Sequence, residues 1–240
     1  MEQTLGLASS FRLYLGLLWK AALILVDGVG ILLSLDNAGG FMNGSYLFSY
    51  FTILSNVAMM ASSLFFIVID IVSLERGKEP KLTFFRLFRL ASVVAVALTM
   101  AVFFAFLLPS AGPGYAESPA NLMVHLIIPI LGILDFVFFE GRKIAFSGAL
   151  AGVSWPLLYL IFVYAVAWPL GFSFGPSGAK VPYFFLNFEE LGWFGLGSGK
   201  LDFGVFYWIL VLLAIVLALS FILVALHLLF HPGKKKRRSA

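Results

Sequence analysis

The segment Tyr46-Leu-Phe-Ser-Tyr-Phe-Thr-Ile-Leu-Ser-Asn56 opens an apolar stretch that is too long and too poor in charge for the core helix of a water-soluble protein. It nevertheless carries hydroxyl and amide side chains close to its start. On a helix, Ser49, Thr52 and Asn56 are spaced i, i+3 and i+7, so they share one face. A polar face within a bilayer has to turn toward protein or water. The segment therefore predicts a membrane helix whose polar face points into a helical bundle.

The composition of the chain points to an integral membrane protein. Of its 240 residues, 61% are hydrophobic and 12% are charged, against about 25% charged residues in soluble domains. The net charge of +4 comes largely from the run Lys234 to Arg238. Because such a run next to an apolar helix is typical of a cytoplasmic flank, we expect a bilayer and no nucleic acid as the partner. The absence of cysteine excludes disulfides, thiolate nucleophiles and zinc–thiolate sites.

Six apolar segments each reach the ~20 residues that a bilayer-spanning helix needs. They lie near Phe11–Leu35, Tyr46–Leu74, Thr83–Leu108, Ala120–Glu140, Ser147–Leu170 and Phe203–Phe230. The short alternating strands of a membrane β-barrel are not seen. We therefore predict an all-α integral membrane protein with six transmembrane helices, in which residues 1–240 form a single domain.

The basic residues of the short connections predict the orientation of the helices. Lysine and arginine occur in the connections 75–82 and 141–146 and in the tail 232–240, whereas the connections 36–45 and 110–119 contain neither. With six spans, all three basic regions lie on the same side. The positive-inside rule then places both termini and the basic tail in the cytoplasm. The protein is expected in the cell membrane as a multi-pass protein, which is the inner membrane if the source is bacterial.

Residues 171–202 form the only long connection, which is rich in glycine and aromatic residues. The predicted orientation puts this connection outside the cell. Aromatic rings are favoured at the membrane interface, and such a segment would not remain extended in water. Two interpretations stay open, a lid over a site at the outer mouth of the bundle and an interfacial anchor.

Two polar side chains from different spans are predicted to lie at the same depth. Thr52 lies ~9 Å below the outer end of the second span, and His125 lies ~8 Å below the outer end of the fourth. Asn121 is one helical turn before His125 and lies on the same face. Asp27 lies in the outer half of the first span, ~12 Å from its end. The outer half of the bundle is therefore expected to hold a cluster of polar groups.

A threonine hydroxyl becomes a nucleophile when a base takes its proton, and a neutral histidine is the commonest base for this task. The pair Thr52 and His125 therefore favours ester hydrolysis through an acyl-threonine. Asn56 and Asn121 are candidate donors for the oxyanion, and Asp27 is a candidate to orient His125 or to hold a water. The other interpretation is structural. Threonine in a membrane helix often bonds its own backbone, and a lone histidine or aspartate often bonds across helices.

The charged residues near the predicted cytoplasmic ends have structural interpretations. Lys20 is expected to extend its long stem to the interface. Three carboxylates, Asp70, Asp135 and Glu140, lie near the ends of their helices. They are expected to pair with the neighbouring cations Arg86, Arg89, Arg142 and Lys143. His227 and His231 have the i, i+4 spacing of metal ligands, but no carboxylate is adjacent, so an interfacial cationic helix end is favoured.

Three segments carry a resemblance to a known family when they are taken in order within six spans. They are Tyr50-Phe-Thr-Ile-Leu-Ser-Asn56, Asn121-Leu-Met-Val-His-Leu-Ile-Ile-Pro129 and Tyr183-Phe-Phe-Leu-Asn-Phe188. The chain resembles the androgen-induced-gene and androgen-dependent TFPI-regulating proteins and their bacterial relatives. Those proteins are multi-pass threonine hydrolases that cleave fatty acid esters of hydroxy fatty acids.

The resemblance implies Thr52 as the nucleophile, His125 as its catalytic partner and a lipid substrate with an acyl chain. No metal or cofactor is expected. The spacing from Thr52 to Asn56 is one residue longer than in the animal proteins, so Ser55 stays an alternative nucleophile, although it lies off the face of Thr52.

Two functions without hydrolysis are also considered. A transporter or channel would use Asp27, Asn56 and His125 along a polar path, but it needs polar groups through both leaflets, and most of them lie in the outer half. A haem or quinone protein would need paired histidines within the membrane. His125 and His227 are expected near opposite faces, so they are too far apart to share one iron.

Overall fold

The computed structural model describes residues 7–78, 80, 83–110, 118–196 and 203–231. Within these ranges the chain is helical, and its only β structure is two isolated bridges, Phe174 with Ala179 and Leu196 with Phe203. Six helices, labelled α1 to α6, are long and apolar enough to cross a membrane. They are Ser10–Asn37, Phe51–Arg76, Thr83–Leu107, Pro119–Phe139, Phe146–Ala167 and Val205–Phe230. The predicted all-α fold with six long apolar helices is confirmed.

The second helix begins five residues later than predicted. Residues Ser45–Ser49 form a separate 3-10 turn, and Tyr50 is extended, with φ −86° and ψ 142°. α2 therefore begins at Phe51, and Thr52 is its second residue. The expected polar face of three residues on one helix is wrong for Ser49, because the break at Tyr50 separates it from α2. Its hydroxyl donates instead to the Tyr46 carbonyl at 2.5 Å.

α3 is the central helix of the bundle. In an 18-residue apolar stretch of α3, 67% of the residues are buried, against at most 44% in a stretch of the same length in each of the other five helices. α3 packs against α2, α4, α5 and α6, whereas α1 packs against α2 and α4. Each outer helix packs one apolar face against the bundle and leaves the opposite apolar face exposed. An exposed apolar face is expected for a helix that contacts lipid.

The bundle has two ends. The loop end carries the long connection between α5 and α6, and the tail end carries the connections from α2 to α3 and from α4 to α5. The predicted loop 171–202 is described as far as residue 196, so residues 197–202 lie outside the described part of the chain, as does the basic tail 232–240. The connection packs onto the loop end, where Phe174, Phe185 and Leu186 are buried against the bundle core. It therefore covers the bundle at this end.

Six charged side chains, which we call the ion network, meet near the tail end. The ion network consists of Lys20, Arg89, Arg142, Asp70, Asp135 and Glu140, each at most 3% exposed. Arg89 pairs with Asp135, and Arg142 pairs with Asp70 at 2.6 Å and with Glu140 at 3.2 Å. The predicted pairing of these three carboxylates with neighbouring arginines is thus confirmed.

Lys20 does not reach the interface, so the predicted extension of its stem is wrong. Its ammonium is 1% exposed and lies 3.3 Å from carboxylate oxygens of both Asp70 and Asp135. The physical reason is charge balance, since two arginines alone would leave three buried carboxylates with one unmatched negative charge.

The sequence favours a cationic helix end for His227 and His231. The structure differs from this expectation. His227 is completely buried, and its Nδ1 lies 3.1 Å from the Phe136 carbonyl oxygen. His231 places Nε2 3.1 Å from the Val137 carbonyl oxygen, and burial lowers its pKa below the usual value. Both rings thus bind α6 to the end of α4. Among the described residues there is no group of three side chains suited to a metal ion.

Candidate functional site

The hydroxyl of Thr52 and the imidazole of His125 meet at the loop end. Oγ1 of Thr52 lies 3.3 Å from Nε2 of His125, across 73 residues of sequence. Thr52 lies in the first turn of α2 because the chain is extended at Tyr50. His125 lies in a π-helical segment of α4, Met123–Ile127. The wider turn of this segment changes the rotation of His125 about the axis of α4 relative to a regular helix.

The other ring nitrogen of His125 fixes which tautomer is present. Nδ1 lies 3.1 Å from the main-chain oxygen of Asn121, one turn earlier on α4. A carbonyl oxygen only accepts hydrogen bonds, so Nδ1 carries the proton and donates it. Nε2 is then free to accept the hydrogen bond from the Thr52 hydroxyl. The Phe103 ring stacks on the imidazole, with centroids 4.1 Å apart, and holds its plane.

Asn56 connects the two helices of this pair. Its amide nitrogen donates to the Thr52 carbonyl at 2.7 Å and to the Val124 carbonyl at 3.2 Å. Both amide hydrogens are therefore engaged by backbone, and the amide positions Thr52 relative to His125. An amide with both hydrogens engaged has none left to donate to an oxyanion.

The three remaining sequence-predicted residues lie in different surroundings. Ser55 donates to the Thr52 carbonyl at 2.9 Å, and its hydroxyl lies 2.9 Å from that of Thr99 on α3. It thus turns toward α3, whereas Thr52 turns toward α4. Asp27 is fully buried in α1, and neither carboxyl oxygen has a hydrogen-bond partner among the described residues. Asn121 reaches His125 through its main-chain oxygen, while the residue also lines a cavity.

A cavity that we call the vestibule lies beside the histidine. It has a volume of about 730 Å³. Its walls include His125, Asn121, Asn37, Ser34, Ser118 and Tyr46. Hydroxyl, amide and imidazole groups along these walls make it suitable for water and for polar parts of a ligand.

A second cavity, which we call the apolar pocket, lies between α2, α3, α5 and α6. It has a volume of about 150 Å³, and its walls include Leu98, Pro156, Leu160, Leu212 and Val216. Leu157 and Leu213 also line it, and they are 52% and 37% exposed on the side of the bundle. The pocket therefore borders the surface that faces lipid in a membrane.

Both cavities border Thr52. The residues that line both of them are Thr52, Leu107 and Tyr183. Thr52 thus borders a polar compartment and an apolar compartment. An ester with one hydrophobic chain has the same division, since a polar carbonyl group joins an apolar tail to the rest of the molecule.

Sequence reasoning missed Tyr183 as part of the site. In the sequence, Tyr183 stands out only as the first residue of the motif Tyr183–Phe188 in the long connection. Burial raises the pKa of its phenol, and the neighbouring Thr52 side chain and the backbone of Phe51 and Thr52 lower it, so the phenol lies close to Thr52. The only signal in the sequence was a phenol within an otherwise apolar aromatic run, and such a signal does not identify its contact.

The chain was compared with protein-family models, with curated protein sequences and with solved structures, and none of the three comparisons found a match.

Proposed function

We propose that this protein is an intramembrane hydrolase of lipid esters, with Thr52 as the nucleophile and His125 as the general base. The substrate class is a fatty acid ester of a hydroxy fatty acid or a similar ester with an acyl chain. The observation that carries the proposal is the 3.3 Å separation between Oγ1 and Nε2, with the ring tautomer set by Asn121. In this proposal the protein is a multi-pass protein of the cell membrane, with the loop end outside and both termini in the cytoplasm.

The reaction has two steps that use the same pair of side chains. Oγ1 of Thr52 attacks the ester carbonyl carbon while its proton passes to Nε2 of His125, and the carbonyl electron pair moves onto oxygen. When the tetrahedral intermediate collapses, the alkoxide leaves and takes the proton from Nε2, which gives the hydroxy lipid and an acyl-threonine. Water then attacks the acyl carbon, again with its proton moving to His125. The second collapse releases the carboxylic acid and restores the threonine hydroxyl.

The two cavities support this reaction. The acyl chain fits the apolar pocket, which borders the lipid-facing side of the bundle near Leu157 and Leu213. The vestibule gives water and the alcohol part of the ester a polar compartment next to His125. Burial of a chain in an apolar pocket contributes roughly 0.8 kcal/mol per methylene, so the tail supplies the affinity and the polar groups place the ester.

The test compares three variants with the wild-type protein in detergent micelles. Thr52→Val keeps the shape of the side chain without its hydroxyl, His125→Ala removes the base, and Ser55→Ala is the matched control that removes a neighbouring hydroxyl. We expect Thr52→Val to abolish release of fatty acid from a branched lipid ester. His125→Ala should reduce the rate by roughly 10²–10⁴-fold. Ser55→Ala should stay close to the wild-type rate.

A fluorophosphonate probe adds a readout that does not depend on the choice of ester. Mass spectrometry of the labelled protein should place the adduct on Thr52, and His125→Ala should slow its formation. An adduct on Ser55, or full hydrolysis by Thr52→Val, contradicts the proposal. A wild-type protein that neither hydrolyses esters nor reacts with the probe would favour the alternative of a non-enzymatic transporter along Asp27, Asn56 and His125.

A further inference from the structure

We propose that Tyr183, in the connection between α5 and α6, donates a hydrogen bond to the oxyanion formed at Thr52, which makes this connection part of the active site. The inference rests on the proposed function and deepens it. It assigns a third catalytic residue, one that touches the reacting atoms and comes from a segment outside the six helices.

The position of the phenol is the first argument. The phenol lies near the Thr52 side chain, and both residues line the vestibule and the apolar pocket. A substrate that reaches from one cavity to the other passes the residues that line both, so its ester carbonyl is expected beside Thr52 and Tyr183. The oxyanion is attached to the carbon that bonds Oγ1, so a donor next to the Thr52 side chain also lies next to the oxyanion.

The start of α2 supplies further donors at the same place. The N–H groups of the first turn of a helix have no acceptor within the helix, and Tyr50 gives no side-chain cap here. The phenol of Tyr183 lies near the backbone of Phe51 and Thr52, the first two residues of α2. When the oxyanion forms, it can accept from these N–H groups and from the phenol together. The positive end of the helix dipole favours the same negative charge.

The competing donor from the sequence is occupied. Both amide hydrogens of Asn56 bond to the carbonyls of Thr52 and Val124. Moving them to the oxyanion would break the link between α2 and α4 that places Thr52 beside His125. The phenol of Tyr183 can turn toward the oxyanion without such a loss, because its oxygen can accept while its hydrogen donates.

Packing holds the ring of Tyr183 in this place. The ring stacks on Phe185 with centroids 5.2 Å apart and planes 5° apart, and the edge contact to Tyr50 is 6.0 Å. Phe185 is itself buried in the core of the bundle. Burial raises the pKa of Tyr183 to about 12, so its phenol keeps the proton at neutral pH and acts as a donor. A donor held in advance of the reaction stabilises developing charge without a cost of reorganisation at that moment.

The experiment removes one phenol and keeps the ring. Tyr183→Phe is compared with Tyr164→Phe, whose phenol donates to the Leu186 carbonyl of the same connection at 2.7 Å and lines neither cavity. For Tyr183→Phe we expect kcat to fall roughly 10²–10³-fold, with little change in KM. The rate of phosphonylation of Thr52 should fall in parallel, because the phosphonyl oxygen takes the place of the oxyanion. Tyr164→Phe should change neither rate by a comparable factor.

Three outcomes overturn the assignment. A Tyr183→Phe variant with near wild-type kcat shows that the phenol is not a donor. A higher KM at unchanged kcat makes it a substrate contact only, and an equal loss in Tyr164→Phe assigns the effect to the position of the connection. In each case wild-type hydrolysis that depends on Thr52 leaves the proposed function standing. A wild-type protein without such hydrolysis removes both proposals together.

Discussion

The guanidinium of Arg142 donates to the carboxylate of Asp70 at 2.6 Å, although the two residues come from the α4–α5 connection and from α2. Lys20 from α1 contacts the same carboxylate at 3.3 Å. The ion network thus joins α1, α2, α3 and α4 through three cations and three anions of zero total charge. Breaking one partner of a buried pair leaves a charge without compensation, which costs more than the pair itself stabilises.

This balance predicts a coupled effect on stability. Lys20→Met leaves two cations against three carboxylates, and we expect it to lower the free energy of unfolding by about 3–5 kcal/mol. Asp70→Asn leaves three cations against two carboxylates and should lower the free energy of unfolding by a similar amount. The double variant restores zero total charge, so its loss should be clearly smaller than the sum of the two single losses. Thermal unfolding in detergent measures all three.

An exposed ion pair serves as the control for the ion network. Lys180 lies 2.8 Å from Glu189, but their side chains are 63% and 49% exposed. Exposed pairs contribute about 0–1 kcal/mol, so Lys180→Met should hardly change the unfolding temperature. Strictly additive losses in the Lys20 and Asp70 variants would show that the two charges are not coupled.

The six helices were predictable because the hydropathy of a span is summed over about twenty residues, so one polar residue hardly changes the sum. The pairing of Arg89 and Arg142 with carboxylates was predictable for a related reason, since a buried carboxylate needs a cation nearby. Lys20 was misjudged because the sequence shows the length of its stem but not the partners on other helices. Its position depends on a charge balance to which four helices contribute.

The candidate site was only partly predictable. Depth along two helices placed Thr52 and His125 at one level, but depth does not specify rotation about the helix axis. The rotation depends on local breaks that periodicity does not detect, namely the extended Tyr50 before α2 and the π-helical segment around His125. Tyr183 could not be placed, because the path of an irregular connection is set by the packing of its rings on the finished bundle.

The apolar pocket predicts a dependence on chain length. Leu212 is half-buried on its wall, so Leu212→Phe should fill part of the space that an acyl chain would use. For this variant we expect kcat/KM with 4-nitrophenyl esters of long fatty acids to fall about tenfold or more, measured relative to kcat/KM with the acetate ester. The reason is that space for a single methylene group in an apolar pocket can change kcat/KM by about this factor. The acetate ester should react almost as in the wild type, because it does not extend into the pocket.

A control substitution to phenylalanine on the same helix separates the filling of the pocket from strain caused by any larger side chain in α6. Ile215 is also half-buried on α6, but it is not part of the pocket wall. Ile215→Phe should therefore keep the wild-type order of preference among the esters. The same shift in both variants, or no dependence on chain length in Leu212→Phe, would show that acyl chains bind elsewhere.

The orientation of the bundle can be measured directly, because the chain has no cysteine and a single introduced thiol has no background. Ser177 lies exposed in the connection at the loop end, and Ala145 lies exposed at the tail end. The positive-inside rule predicts that the basic connections 75–82 and 141–146 lie in the cytoplasm. A maleimide that does not cross membranes should therefore label Ser177→Cys in intact cells, and Ala145→Cys only after the cells are permeabilised. The reverse pattern would put the vestibule on the cytoplasmic side, so the lipid ester would have to arrive from the inner leaflet.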